Sequence, residues 1–199
     1  MWMQTGAISD LQAEYLAALG RAIALAQNFE NNCKFVFGTY DFGEAFAAKK
    51  IDMKNWPAYG QKLMNRSLGG ALKGREKDRV FKKQVVALEA ARLARNYLAH
   101  QAAEPALYVP PMGGQHKLRD LLSKTVDRRK IEEERREMVV SYLKKMLPSF
   151  KKAVRDLAEG DNIVSKWSYM IQEKDAYMPS MAKSYANEAV EWVLEPVRA

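Results

Sequence analysis

The sequence holds a single cysteine, Cys33, and two histidines, His100 and His116. That is too few soft ligands for a four-coordinate zinc cage, and a cysteine without a partner fits a reducing compartment, so the cytoplasm is the expected address and no metal or cofactor is expected. No window approaches the ~20 uninterrupted apolar residues of a membrane span. Met1 to Asp10 carries neither the basic start nor the apolar run of a signal peptide, so neither a leader nor a membrane partner is expected. Glycine and proline are sparse, at 11 and 7 of 199 residues, which excludes collagen-like and low-complexity chains. The Walker loop, the dinucleotide glycine fingerprint, HExxH, the EF-hand and the nucleophile elbow are all missing.

What is present is a globular composition, 48% hydrophobic and 28% charged. At this length a chain buries roughly 70% of its unfolded surface, enough for one core without staples. A single domain over 1–199 is expected, with a main bundle over about 9–159 and C-terminal helices over about 163–195. The net charge of +8 is uneven: −1 over residues 1–61, +6 over 62–83, zero over 84–115, +7 over 116–155 and −4 over 156–199. Two basic blocks flanking a neutral one would attract a polyanion such as RNA through counterion release, although basic helices are also often plain solvated faces.

Apolar residues recur at spacings of three and four and strand-like alternation is hard to find, so the chain reads as an all-α antiparallel bundle of five to six helices. Ser9-Asp10-Leu11-Gln12 is a capping-box pattern opening a helix to about Phe37, with a break at Gly38 and Thr39–Gly43. Trp56-Pro57 starts a short helix, and Gly69, Gly70 and Gly74 punctuate the segment after it. From about Asp78 to Ala103 the pattern predicts one uninterrupted helix whose apolar residues, from Val80 to Leu98, spread around most of its circumference. Such a helix should be covered on several sides. Pro105 closes it, and Glu104–Gln115 reads as a loop. A second long helix begins near Leu118, its Asp127–Glu137 stretch almost all charged. Pro148 should kink or restart it, Gly160-Asp161-Asn162 should form a turn, and Ile163–Lys174 and Ser180–Leu194 complete the helices.

Near the end of the central helix stands Arg95-Asn96-Tyr97-Leu98-Ala99-His100. Counting back from His100, Asn96, Arg92 and Glu89 lie within about 60° of one another, and Lys82 falls on the same line. Arg95 is rotated about 140° from His100, so the two converge only through a frayed helix end or a neighbouring chain. Buried polar groups in this number need partners or a wet cleft. In one reading Glu89 and Arg92 form an i,i+3 ion pair while Asn96 and His100 bond to backbone in the core. In the other the row is a site.

This Arg-polar-x3-His pattern on a bundle helix resembles the signature of the HEPN family (higher eukaryotes and prokaryotes nucleotide-binding domains). The short Leu68-Gly69-Gly70-Ala71-Leu72 piece before the motif helix is also similar, and residues 80–101 carry the specific match. The resemblance implies a homodimer in which motifs from both protomers meet. For many members it implies a metal-independent endoribonuclease in toxin-antitoxin, abortive-infection or other defence systems. RNA cleavage through its own 2′-OH needs a base on that hydroxyl, an acid on the leaving 5′-oxygen and positive charge on the phosphorane-like transition state. On this reading His100 is the acid/base, Arg95 grips the phosphate and Asn96 orients one of them, with Glu89, Arg92 and Tyr97 in support. Lys82, Lys83, Arg128 and Arg129 would guide the RNA backbone, His116 is a surface residue, and Tyr97 is either packing or a stacking platform. A subset of the family carries, two residues after the histidine, a tyrosine that a nucleotidyltransferase antitoxin modifies. Ala102 stands there instead and has no hydroxyl to modify, so any antitoxin or regulatory partner would be of another kind. A non-catalytic dimeric HEPN-like binding module, and an unrelated basic nucleic-acid-binding bundle using Arg128, Arg129, Lys144 and Lys145, are the alternatives.

Overall fold

The computed structural model describes residues 10–52, 54–78, 80–103, 128–173 and 179–195. Among the described residues there are six α-helices and no strand: α1 (Asp10–Ala47), α2 (Trp56–Met64), α3 (Leu68–Leu72), α4 (Val85–His100), α5 (Arg128–Glu173) and α6 (Pro179–Leu194), with a single 3-10 turn at Arg75–Lys77. The chain is all-α, as its periodicity predicts. His116 and the Glu104–Gln115 loop lie outside the described residues.

Side-chain contacts fix the directions of the helices. The Tyr15 ring lies 4.9 Å from Phe150, and Asn32 Nδ2 donates to Ser165 Oγ at 3.1 Å, so α1 and α5 run parallel. Tyr15 OH donates to the Ala102 carbonyl at 2.8 Å while Phe37 meets Phe81 at 4.9 Å, which sets α4 antiparallel to α1. Tyr185 reaches Asp161 and Trp192 lies 6.0 Å from the Arg21 guanidinium, which makes α6 antiparallel to α1 as well. The result is an up-down-up-down arrangement of α1, α4, α5 and α6 around one apolar core that includes Phe29, Phe37, Leu88, Leu98, Leu143 and Leu157.

Several boundaries differ from those the sequence predicts. α1 does not break at Gly38 but runs through it to Ala47. Gly38 is buried where α2 crosses, and a Cβ there would touch Met64 Sδ at 3.7 Å and Leu63 Cβ at 3.9 Å. Tertiary packing thus outweighs the roughly 0.5–1 kcal/mol that an interior glycine costs a helix. α4 starts at Val85, not Asp78; the Asp78 carboxylate accepts from the Val80 amide at 2.9 Å and from Tyr40 OH at 3.3 Å, and it pairs with Arg75 at 3.6 Å. Residues 80–84 are turns, which removes Lys82 from the helical row. α4 ends at His100, with the Gln101 and Ala102 amides both donating to the Tyr97 carbonyl. Nor is α4 covered all round: Val86 is 82% and Leu93 57% exposed.

α5 passes without a stop through both Pro148 and Gly160-Asp161-Asn162. An interior proline costs a helix about 3 kcal/mol, and buried Leu143, Phe150 and Val154 anchor α5 on either side of it. The glycine marks a close helix approach: a Cβ on Gly160 would stand 2.2 Å from Ala91 Cβ and 3.2 Å from Phe29 Cε2. The residues that look like a turn are therefore the seam of α1, α4 and α5. Gly160→Ala should destabilise the protein by about 3 kcal/mol, and Ala91→Gly should restore part of that loss. Urea midpoints of the two single variants and the double variant check this, and an unperturbed Gly160→Ala would contradict the packing.

Candidate functional site

Leu88, Ala91, Ala94 and Leu98 form the buried face of α4. Their spacing puts Glu89, Arg92 and Asn96 on its flank, where α3 approaches. Glu89 and Arg92 form the i,i+3 pair: Arg92 Nε donates to both carboxylate oxygens at 3.0 and 2.9 Å, and Nη2 donates to Oε1 at 2.7 Å. α3 is held by Ser67, whose Oγ accepts from the Gly70 amide at 3.1 Å. Between them lies a shallow cleft of about 290 Å³ lined by Glu30, Ser67, Leu68, Gly69, Arg92, Arg95 and Asn96.

Arg95 is not free in this cleft. Its Nε and Nη2 donate to Glu30 Oε2 at 3.0 and 2.6 Å, and its Nη1 donates to Asn96 Oδ1 at 3.3 Å. The other Glu30 oxygen pairs with Lys34 Nζ at 2.9 Å, one helical turn further along α1. Burial alone would raise the Glu30 carboxyl, but the hydrogen bonds from Lys34 and Arg95 outweigh it and hold the group below the ordinary carboxylate value. Glu30 and Lys34 belong to the site although sequence reasoning passed over them. The only signal was their i,i+4 spacing, which marks countless solvated helix faces.

His100 lies outside the cleft, exposed at the last position of α4, and its side chain makes no hydrogen bond to another described residue. It is not bonded to backbone in the core, and a single chain does not bring it together with Arg95. Asn96 is half-buried and bonded to Arg95 rather than to backbone. The Tyr97 ring packs against the core, and its hydroxyl is buried with no hydrogen-bond partner among the described residues. Tyr97 also lines a separate groove of about 300 Å³ with Leu93, Ala153 and Lys152. Lys82 and Lys83 are exposed in the turn before α4, about 24 Å from His100 along the helix. Arg128 and Arg129 stand at the first positions of α5, and their side chains lie outside what the structure describes. Among the described residues no cluster of His, Cys, Asp and Glu could hold a metal ion, and no helix is long and apolar enough to cross a membrane.

On the other side of α1, Asp161 is fully buried and accepts from Asn28 Nδ2 at 3.1 Å, from Asn32 Nδ2 at 3.3 Å and from Tyr185 OH at 2.8 Å. Desolvation pushes its carboxyl above the usual value against the lowering by these hydrogen bonds. Cys33 is buried beside it, and burial likewise pushes its thiol up. Two turns of α1 thus serve both flanks, Asn28 and Asn32 toward α5, Glu30 toward α4.

Compared with known proteins, the chain matches no family model, no curated protein and no solved structure.

The two carboxylates predict opposite pH responses. Asp161, raised on folding, contributes stability that is full below the unfolded carboxylate pKa and is lost as pH rises through its folded value. Glu30, lowered on folding, contributes stability above the unfolded pKa that is lost as pH falls through its folded value. Glu30→Gln should therefore cost about 1 kcal/mol near neutral pH and flatten the acid-side decline. Urea midpoints measured across the acid range read both effects, and an unchanged acid limb would contradict the ion-pair assignment.

Proposed function

We propose that the chain is a metal-independent endoribonuclease of the HEPN kind that works as a homodimer, and the observation that carries the reading is the open face of α4. Val86, Leu93 and His100 recur every seven residues and so lie on one stripe of the helix. The two apolar members are exposed where a monomer has reason to bury them, and the stripe ends in an exposed histidine. A second copy seated on that stripe would cover Val86 and Leu93 and bring two His100 side chains into one neighbourhood. It would supply the separate acid and base that a single chain lacks.

In that composite site one imidazole takes the proton of the RNA 2′-OH as its oxygen attacks phosphorus. The other gives a proton to the departing 5′-oxygen, leaving a 2′,3′-cyclic phosphate and a 5′-hydroxyl. The HEPN resemblance gives Arg95 the support of the developing charge: a guanidinium carries five donors, Glu30 and Asn96 engage three of them, and it faces the α3 cleft rather than the Val86–His100 stripe. Exposed Lys144, Lys145 and Arg155 on the solvent face of α5 add positive charge for the RNA backbone. A defence role, as in toxin-antitoxin or abortive-infection systems, is the biological setting this activity would suit. The Arg95–Glu30 pair favours a second reading, a dimeric binding module in which Arg95 only braces the fold.

Purified protein incubated with a mixed RNA pool in EDTA should yield fragments with 2′,3′-cyclic phosphate ends. His100→Ala should lose at least about 100-fold of that rate while staying folded. Leu93→Glu should sediment as a folded monomer and cut no RNA. An active His100→Ala protein, or a parent that is monomeric at micromolar concentration, would overturn the ribonuclease. A dimeric parent with no RNA turnover would point to the binding module.

A further inference from the structure

The end of α1 and the start of α2 carry a cluster of aromatic rings that lies apart from the core. Phe42 and Phe46 share a face of the last turns of α1, at i and i+4. Trp56 meets the Phe42 ring edge-on with centroids 6.4 Å apart, and Tyr59 meets it at the same distance with the planes at 58°. Trp56 remains 46% and Phe46 57% exposed. Described residues of the connection are bonded: the Lys50 amide donates to the Ala45 carbonyl at 2.9 Å, and Ile51 is buried. Asp52 Oδ1 accepts from the Lys54 and Asn55 amides at 2.9 and 3.0 Å.

Charge around these rings is mainly positive. Lys49, Lys50, Lys54 and Lys62 are all exposed. The acidic groups of the same segment are Glu44 and Asp52, and Asp52 is occupied in closing the turn. Exposed aromatic rings packed against one another, with exposed lysines in the same stretch of chain, fit a strand of unstacked bases on a phosphate backbone. A bilayer suits the patch less well, because insertion favours a continuous apolar face and here Glu44, Lys49, Lys50 and Asp52 stand between the two most exposed rings in sequence.

We propose that the Phe42–Phe46–Trp56–Tyr59 cluster with its four lysines is a docking platform for single-stranded RNA, separate from the Arg95–His100 region. α1 and α4 are antiparallel, so the platform sits beyond the Val85 end of α4 while His100 marks the opposite end, about 24 Å away along the helix. A strand bound here reaches His100 only by running the length of α4. The platform therefore selects RNA with an unpaired stretch long enough to span both places. That the strand is RNA and runs on to His100 rests on the cleavage reading; that the platform binds an unpaired strand does not.

The test uses fluorescence anisotropy with a fluorescein-labelled 2′-O-methyl oligonucleotide of about 12 nucleotides, a length within the usual footprint of such sites. Its blocked 2′ position keeps it intact whether or not the protein is a nuclease. Trp56→Ala should weaken binding about tenfold with the far-UV circular dichroism unchanged, and Trp56→Phe should recover most of the loss. Lys50→Glu combined with Lys62→Glu should weaken binding at low salt and lower the salt slope by about 1.4. A parent that does not bind at low salt, or a Trp56→Ala protein that binds as the parent does, would overturn the proposal. So would co-sedimentation with phosphatidylserine vesicles that depends on Trp56 while oligonucleotide binding does not, since that assigns the patch to a membrane.

Discussion

The contact of Gly160 with Ala91 and Phe29 is the constraint on which the remaining geometry rests. It lets α5 approach both α4 and α1 more closely than any residue with a side chain would allow. At that separation the next residue, Asp161, is enclosed, and a buried carboxylate must be hydrogen-bonded or it destabilises the fold. Asn28, Asn32 and Tyr185 meet that demand, and in meeting it they set the rotation of α1 and dock α6. With α1 so rotated, Glu30 faces α4, and Arg95 is drawn to it while Lys34 takes its other oxygen. The position of the candidate site thus descends, step by step, from one missing methyl group.

A second cluster secures the other end of the bundle. Arg75 is buried, donates to the Ala71 carbonyl at 3.0 Å and to Asp41 at 2.8 Å, and stands over the Phe37 ring at 4.8 Å. Arg66 joins the same Asp41 carboxylate at 2.7 Å. A buried guanidinium is tolerated here because its donors meet anionic and carbonyl oxygens and its face meets aromatic rings. It ties the short helices to α1 and so keeps the α3 wall of the cleft in place. The aromatic platform at the end of α1 is built on the same support.

The helical class, the short helix at Trp56-Pro57, the Glu89–Arg92 pair and the amphipathic C-terminal helix were legible in the sequence, because each rests on local spacing. What was not legible depended on neighbours distant in the chain. Gly38 and Gly160-Asp161-Asn162 carry the composition of turns, and nothing local says that a crossing helix needs the space or that three donors await the aspartate. Pro148 reads as a break for the same reason. Asp78 looks like an ordinary helix start, yet Tyr40 and Arg75 meet its carboxylate. At the site, the row Glu89–Arg92–Asn96 was readable from helical geometry. Glu30 was not, since its partner Arg95 is on another helix, 65 residues away in sequence.

The two turns of α1 from Asn28 to Lys34 answer to several masters at once. Asn28 and Asn32 hold Asp161, Phe29 fills the space under Gly160, Glu30 holds both Lys34 and Arg95, and Cys33 is sealed in the core. Only Asn31 is exposed and uncommitted to any of these contacts. Over evolutionary time such a segment has almost no room to drift. Substitutions that persist should gather at Asn31, and a change at any neighbouring position should survive only with a compensating change on α4, α5 or α6.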